Sequence, residues 1–188
     1  MIRATPRLAL AACAAALLFA GPSWAKDNVA HADAAFMKNA AESGMAEIEA
    51  SKLALTKAGN TQVKGFAQQM VDDHTKAADE LKALAASKSV SLPTEPSMMQ
   101  KANLKSLQGL DGARFDARYA EHFGVKAHED TVRLFQKAAD KSKDADVKAF
   151  AQKTLPTLTH HLEMAKDLEK STTTEKKSAG KAPAAASR

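Results

Sequence analysis

Four residues of this 188-residue chain could do chemistry together: Glu47, His74, His128 and His161. Three imidazoles and a carboxylate form a donor set suited to Zn²⁺, Cu²⁺ or iron. Neutral ring nitrogen matches borderline transition metals, and one anionic oxygen offsets part of the charge. The four lie far apart in the chain, so four different elements must bring them to one place. The same residues admit a plainer reading. A buried histidine bonded to a carboxylate can fix helix register while binding nothing. A third reading is a pH switch, in which inward histidines charge together below pH ~6.5 and loosen the core. No Gly-rich phosphate loop, nucleophile elbow or Ser-His-Asp order is present.

Each of the four sits on or beside an apolar stripe of helical period. At about 100° per residue, Val63, Ala67, Met70, His74, Ala77 and Leu81 share one face, with Asp73 at its edge. Upstream, Phe36, Ala40, Gly44, Glu47, Ser51 and Ala54 mark a first helix, capped by Asp33 and stopped at Gly59-Asn60. Asn60 or Thr61 caps the second helix, which runs to about Ser87. Pro93 and Pro96 preclude a continuous helix after it, so Val90 to Leu110 is a crossover with a short helix from Met98 to Leu107. The third helix spans Gly112 to Lys141 behind Asp111. Its stripe is Phe123, Ala127, Leu134 and Ala138, with Asp116 and Thr131 inside it and His128 on one flank. The fourth runs from Lys143 or Asp144 to Lys170 and carries Val147, Phe150, Leu158, His161 and Leu168. Pro156 predicts a bend in it.

Short loops and one long crossover predict an all-α fold, a ferritin-like four-helix bundle of two helical hairpins over residues 33–170. The hexapeptide VKGFAQ at Val63 returns as VKAFAQ at Val147, 84 positions later, so the hairpins read as a duplication with Glu47 and His128 in matching places. Asp73 and Asp116 could accept hydrogen bonds from the backs of the ligand rings. Di-iron bundles place Glu-x-x-His on two helices, whereas Val71 and Leu158 stand three residues before His74 and His161. Ferroxidase or oxygenase chemistry is therefore not expected. His31, His122 and His160 are expected to face solvent, and Tyr119 to pack with its hydroxyl partnered.

Residues 1–25 have the pattern of a secretory signal peptide. Arg3 and Arg7 precede an apolar run from Leu8 to Phe19, and Ser23-Trp24-Ala25 is a cleavage pattern. The run is too short for a stable bilayer span. Leu10 to Cys13 resembles a lipobox, but little apolar sequence precedes it and the run continues beyond it, so lipid anchoring at Cys13 is not expected. Cys13 is the single cysteine, so a processed chain has neither a disulfide nor a thiolate ligand. Residues 26–32 are expected to be a lead-in, and residues 171–188 a disordered basic tail. The formal charge of +5 sits at the two ends, with a near-neutral middle. That distribution excludes a basic nucleic-acid-binding face. The tail could touch an envelope component. Periplasm or cell envelope is the expected compartment.

The segments FMKNAAESGMAEIEASKLAL, VKGFAQQMVDDHTKAADELKALA, FDARYAEHFGVKAHEDTVRLF and FAQKTLPTLTHHLEMAKDL together resemble the domain of unknown function 4142 family. The resemblance covers about Ala34 to Leu168. It implies export and a ferritin-like bundle, in a family often labelled membrane or outer-membrane proteins. It implies no reaction. The positions matching its motifs are Glu47, Asp73, His74, Asp116, Tyr119, His128 and His161. The resulting expectation is a non-enzymatic envelope module for binding or stress, with a metal-binding protein as the alternative.

Overall fold

The computed structural model describes residues 29–181. Within them, α1 (His31–Lys57) and α2 (Thr61–Ser87) form one hairpin. The crossover holds α3 (Met98–Gln108). The third long helix is divided: α4 (Gly112–Tyr119) leads into a π-helical turn, Ala120–Lys126, and continues as α5 (Ala127–Lys141). The last helix, α6 (Ala145–Lys181), pairs with α5 as the second hairpin and passes through Pro156 without ending. No helix among the described residues is long and apolar enough to cross a membrane. The bundle's helical hairpins and long crossover agree with the expected all-α architecture.

Local chemistry explains the element ends. Asn60 caps α2, its side chain accepting from the N–H groups of Gln62 and Val63. Ser97 and Gln100 form a reciprocal capping box at the start of α3. Asp144 accepts from the N–H groups of Asp146 and Val147 and opens α6. Asp111 precedes α4 without a side-chain cap; its carboxylate pairs with Lys57 at 3.1 Å.

The core is two apolar clusters at opposite ends of the bundle. One gathers Ala50, Ala54, Val63, Phe66, Met70, Phe115, Tyr119, Phe123 and Leu168. The other gathers Phe36, Met37, Leu81, Phe135, Val147, Phe150 and Leu158. The two copies of the hexapeptide fall one in each, with Val63 and Val147 both fully buried. On each of the four long helices a buried glutamate or histidine marks the crossing from one cluster to the other, with Thr131 buried beside it on α5. The four are Glu47 between Ala41 and Ala50, His74 between Met70 and Leu81, His128 between Phe123 and Phe135, and His161 between Leu158 and Ala165.

Two aspartates register the hairpins. Asp33, expected to cap the first helix, instead reaches the α5–α6 turn. It accepts from Ser142 Oγ at 2.6 Å, Lys143 N at 3.1 Å and Asp144 N at 2.9 Å. The helix begins earlier, at His31 after Ala30, so the lead-in ends before residue 31. Asp116 makes the counterpart clamp on the α1–α2 turn, accepting from Gly59 N at 3.2 Å and Asn60 N at 3.0 Å. Each hairpin thus holds the turn of the other. Both clamps serve backbone N–H groups that the turns leave unpaired.

The tail needs correction. Its composition predicts disorder from Ser171, but α6 continues to Lys181. Thr172 is fully buried, and Glu175 accepts from Asn60 Nδ2 at 2.8 and 2.9 Å. Weak helix formers are held there by contact with the α1–α2 turn, which overrides propensity. The expected leader, Cys13 and residues 182–188 lie outside the described residues.

Candidate metal centre

Glu47, His74, His128 and His161 project from α1, α2, α5 and α6 into the layer between the two apolar clusters. Glu47 is 3% exposed, His74 6%, His128 0% and His161 1%. Glu47 Oε2 stands 3.3 Å from His74 Nε2 and 3.3 Å from His128 Nε2. The ligand nitrogens of the three rings lie within 4.8 Å of one another. The Glu47 contacts have ion-pair length but miss hydrogen-bond geometry. Both Glu47 oxygens, His74 Nε2, His128 Nε2 and His161 Nδ1 are buried with no hydrogen-bond partner.

The outer sides of two rings are held. His128 Nδ1 lies 2.8 Å from the Gly124 carbonyl oxygen and 3.2 Å from that of Phe123. A carbonyl only accepts, so Nδ1 carries the proton and a neutral His128 presents its Nε2 lone pair inward. His161 Nε2 lies 2.9 Å from Asp73 Oδ2, a carboxylate at the bundle surface. The His161 proton is therefore on Nε2 and its Nδ1 lone pair also points inward. This is the outer-sphere pattern of metal-bound histidines, where a carbonyl or carboxylate behind the ring selects the tautomer and orients it.

The π turn places His128. One extra residue in the turn advances the register of everything after it. A regular helix would put Ala127 and Leu134 at the centre of the stripe and His128 on its flank. In the structure His128, Thr131, Phe135 and Ala138 face inward, while Ala127 and Leu134 are half-buried. Gly124 lets α6 approach the turn: a Cβ there would stand 3.2 Å from Ala165 Cβ. That mid-helix glycine is the one hint of the turn in the sequence.

Asp116 does not join the cluster. Its carboxylate is engaged at the α1–α2 turn, so the expected role behind a ligand ring is corrected. Burial raises its pKa, against the lowering effect of the Asn60 and Gly59 N–H groups. Tyr119 packs in the core and shares a 2.8 Å hydrogen bond with Ser51 Oγ. His31 and His160 are exposed, whereas His122 is half-buried beside Arg118 at 2.7 Å.

The electrostatics of the layer are coupled. Burial opposes ionisation of Glu47, but the facing His128 and His74 rings outweigh it and hold its pKa low. Burial likewise disfavours a charged His74, yet the Glu47 carboxylate raises its pKa. Burial takes His161 down to about 4, despite its bond to Asp73. Metal-free, the layer pairs a carboxylate with a His74 proton, and His161 stays neutral.

No curated protein matches the chain. The fold is similar to the crystal structure of a conserved hypothetical protein from Mycobacterium tuberculosis, with a TM-score of 0.57 and 16% identity over 84% of this chain and 96% of that one. At that identity the likeness speaks for the fold alone. The profile of the domain of unknown function DUF4142 matches residues 20–168, well over half of the sequence, and the chain belongs to that family.

Proposed function

We propose that this protein is a transition-metal-binding bundle of the cell envelope. One observation carries the reading: the Nε2 atoms of His74 and His128 and the Nδ1 atom of His161 turn inward beside the Glu47 carboxylate, all buried and none hydrogen-bonded. A carboxylate oxygen and the lone pair of an unprotonated ring facing each other at 3.3 Å repel unless a proton or a metal ion lies between them. One proton on His74 satisfies part of this set; a metal ion would satisfy all of it but the second Glu47 oxygen.

The dimensions fit. Four ligands about 2.0–2.1 Å from one ion at tetrahedral corners stand about 3.3 Å apart. Glu47 Oε2 keeps that spacing to His74 and His128. Wider ring separations close by side-chain rotation. Three imidazoles and one carboxylate suit Zn²⁺ first, with Cu²⁺ and Fe²⁺ next. Four protein ligands fill a tetrahedral shell, which fits holding or passing on an ion rather than catalysis on it. Among the described residues Glu47 is the one carboxylate buried in the layer, which speaks against a di-iron pair. Export rests on the leader, residues 1–25, with its basic start, apolar run and Ser23-Trp24-Ala25 pattern.

The test uses the processed chain, residues 26–188, stripped of metal and offered Zn²⁺, Cu²⁺ and Fe²⁺ in calorimetry with elemental analysis. One equivalent bound per chain, lost in His128→Ala, is the expected result. No uptake of any of the three, or unchanged binding in that variant, ends the metal reading.

A further inference from the structure

A second site opens beside the polar layer. A cavity of about 300 Å³ runs from the surface between α1 and α2 down to the inner faces of α5 and α6. Its walls are apolar, with the small Ala40, Gly44 and Ala78 set against the larger Leu81, Phe135 and Phe150. Protein interiors normally close such space, and this volume is at the scale of small-molecule sites. It is kept open by small residues facing each other across the hairpin. A Cβ added at Gly44 would meet nothing within 4 Å.

Two buried polar side chains line its floor. His74 is 6% exposed, with its Nε2 turned away to Glu47 at 3.3 Å. Thr131 is 5% exposed, and its hydroxyl bonds to none of the described residues. Empty, such a floor would hold loosely bound water, and an apolar group that displaces poorly ordered water gains affinity. The mouth is charged. Lys52 and Lys82 stand there exposed, neither paired with a carboxylate among the described residues, against the single acid Asp79.

We infer that this cavity binds a small amphipathic monoanion, with an aliphatic or aromatic body inside and a carboxylate at the mouth between Lys52 and Lys82. The apolar walls select the body. The excess of one positive charge at the rim selects the head over a neutral or cationic one. This inference does not depend on metal binding, and the metal-free protein suffices to test it.

The probe is octanoate, compared with octan-1-ol and octylammonium, followed by calorimetry and by alanine methyl NMR signals. Octanoate should bind with Kd about 1 mM or tighter and shift the Ala40 and Ala78 methyls, with octanol weaker and octylammonium weakest. Gly44→Leu fills the cavity and should weaken octanoate at least about tenfold. Ala78→Met does the same from the facing helix, should the first variant fail to fold. Lys52→Met and Lys82→Met should each weaken octanoate about two- to fivefold, the size of one exposed ion pair, and leave octanol unchanged. Failure of octanoate to bind, or binding untouched by both filling variants when circular dichroism shows them folded, overturns the site. Equal binding of the three probes overturns the anionic class.

Discussion

Replacing Glu47 by glutamine puts the metal reading at risk with one oxygen-to-nitrogen exchange. Size and shape are kept, but the only anion of the layer is removed. In the loaded protein Glu47 supplies the sole negative charge against a divalent ion. Loss of a group that merely orients a ligand weakens a site about 10- to 100-fold, so the loss of a ligand should reach at least the upper end. At Zn²⁺ about 1,000 times the wild-type Kd, binding stabilises the native protein by ~4 kcal/mol. A 100-fold weaker E47Q site at the same concentration sits near 10 Kd and gains only ~1.4 kcal/mol. For a domain of this length 1 kcal/mol moves the midpoint about 2–4 °C, giving a Zn²⁺ shift of ~8–16 °C for wild type and ~3–6 °C for E47Q. The assay is thermal unfolding by circular dichroism, with and without Zn²⁺, on chelator-treated protein. Equal Zn²⁺ shifts in the two proteins would refute the assignment of Glu47, and no shift in wild type would refute the centre.

Four further outcomes are expected. The metal-free protein should lose stability as pH falls from about 6.5 towards 4. His161 has its pKa depressed to about 4, so below about 6.5 the unfolded chain takes up a proton that the native ring refuses. Glu47, also depressed, acts in the same direction at its acid end. His74, with its pKa raised, stabilises below about 6.5 and loses that effect as pH rises through its native pKa. His161→Leu should flatten the acid limb in a melting series, and an unchanged limb would rule out that origin. Asp33→Ala strips two backbone N–H groups and one hydroxyl of their acceptor, at about 2–3 kcal/mol in urea unfolding; an effect under half that would mean water replaces the clamp. Removing residues 171–188 should destabilise by about 1–2 kcal/mol through loss of the buried Thr172 and the Glu175–Asn60 contact. A melting curve identical to the full chain would return that segment to a passive tail. Replacing all four layer residues by leucine should leave the metal-free bundle as stable or ~1–4 kcal/mol more stable, whereas a loss of cooperative unfolding would show that the layer specifies the fold.

Helical periodicity carries most of the fold because the stripes are long. Val63, Met70 and Leu81 are buried as their spacing requires, and Pro93 and Pro96 mark the crossover. The inward positions of Glu47, His74 and His161 come from the same stripes. His128 is harder, since a regular period puts it on a flank; the π turn moves it to the centre, and only Gly124 hints at that turn. The two clamps escape a sequence reading because an aspartate ahead of an apolar run fits a cap, and one inside a stripe fits a ligand's partner. Their common motif, Asp-Ala-x-aromatic at Asp33 and Asp116, recurs after 83 positions, one short of the hexapeptide's 84. Residues 171–175 read as tail from composition alone, because what orders them is a contact with a turn more than 100 residues earlier.

The clamps also bear on what the polar layer is for. A register-fixing layer is useful where nothing else sets the relative height of two hairpins. Here Asp33 and Asp116 already do so, each bonded to backbone N–H groups in the other hairpin's turn. Apolar residues could fill the layer with the register still set. Instead it holds five buried polar atoms without hydrogen-bond partners. Each unsatisfied group costs roughly 1–3 kcal/mol, against a typical net stability of about 5–15 kcal/mol. With Cys13 the single cysteine, no disulfide within the chain offsets that cost. A ligand bound there in the native state would remove that penalty. The proposed cation, held by Glu47 and the three inward ring nitrogens, would remove it at every one of those atoms except the second carboxylate oxygen. A single proton shared by His74 and Glu47 relieves fewer of them.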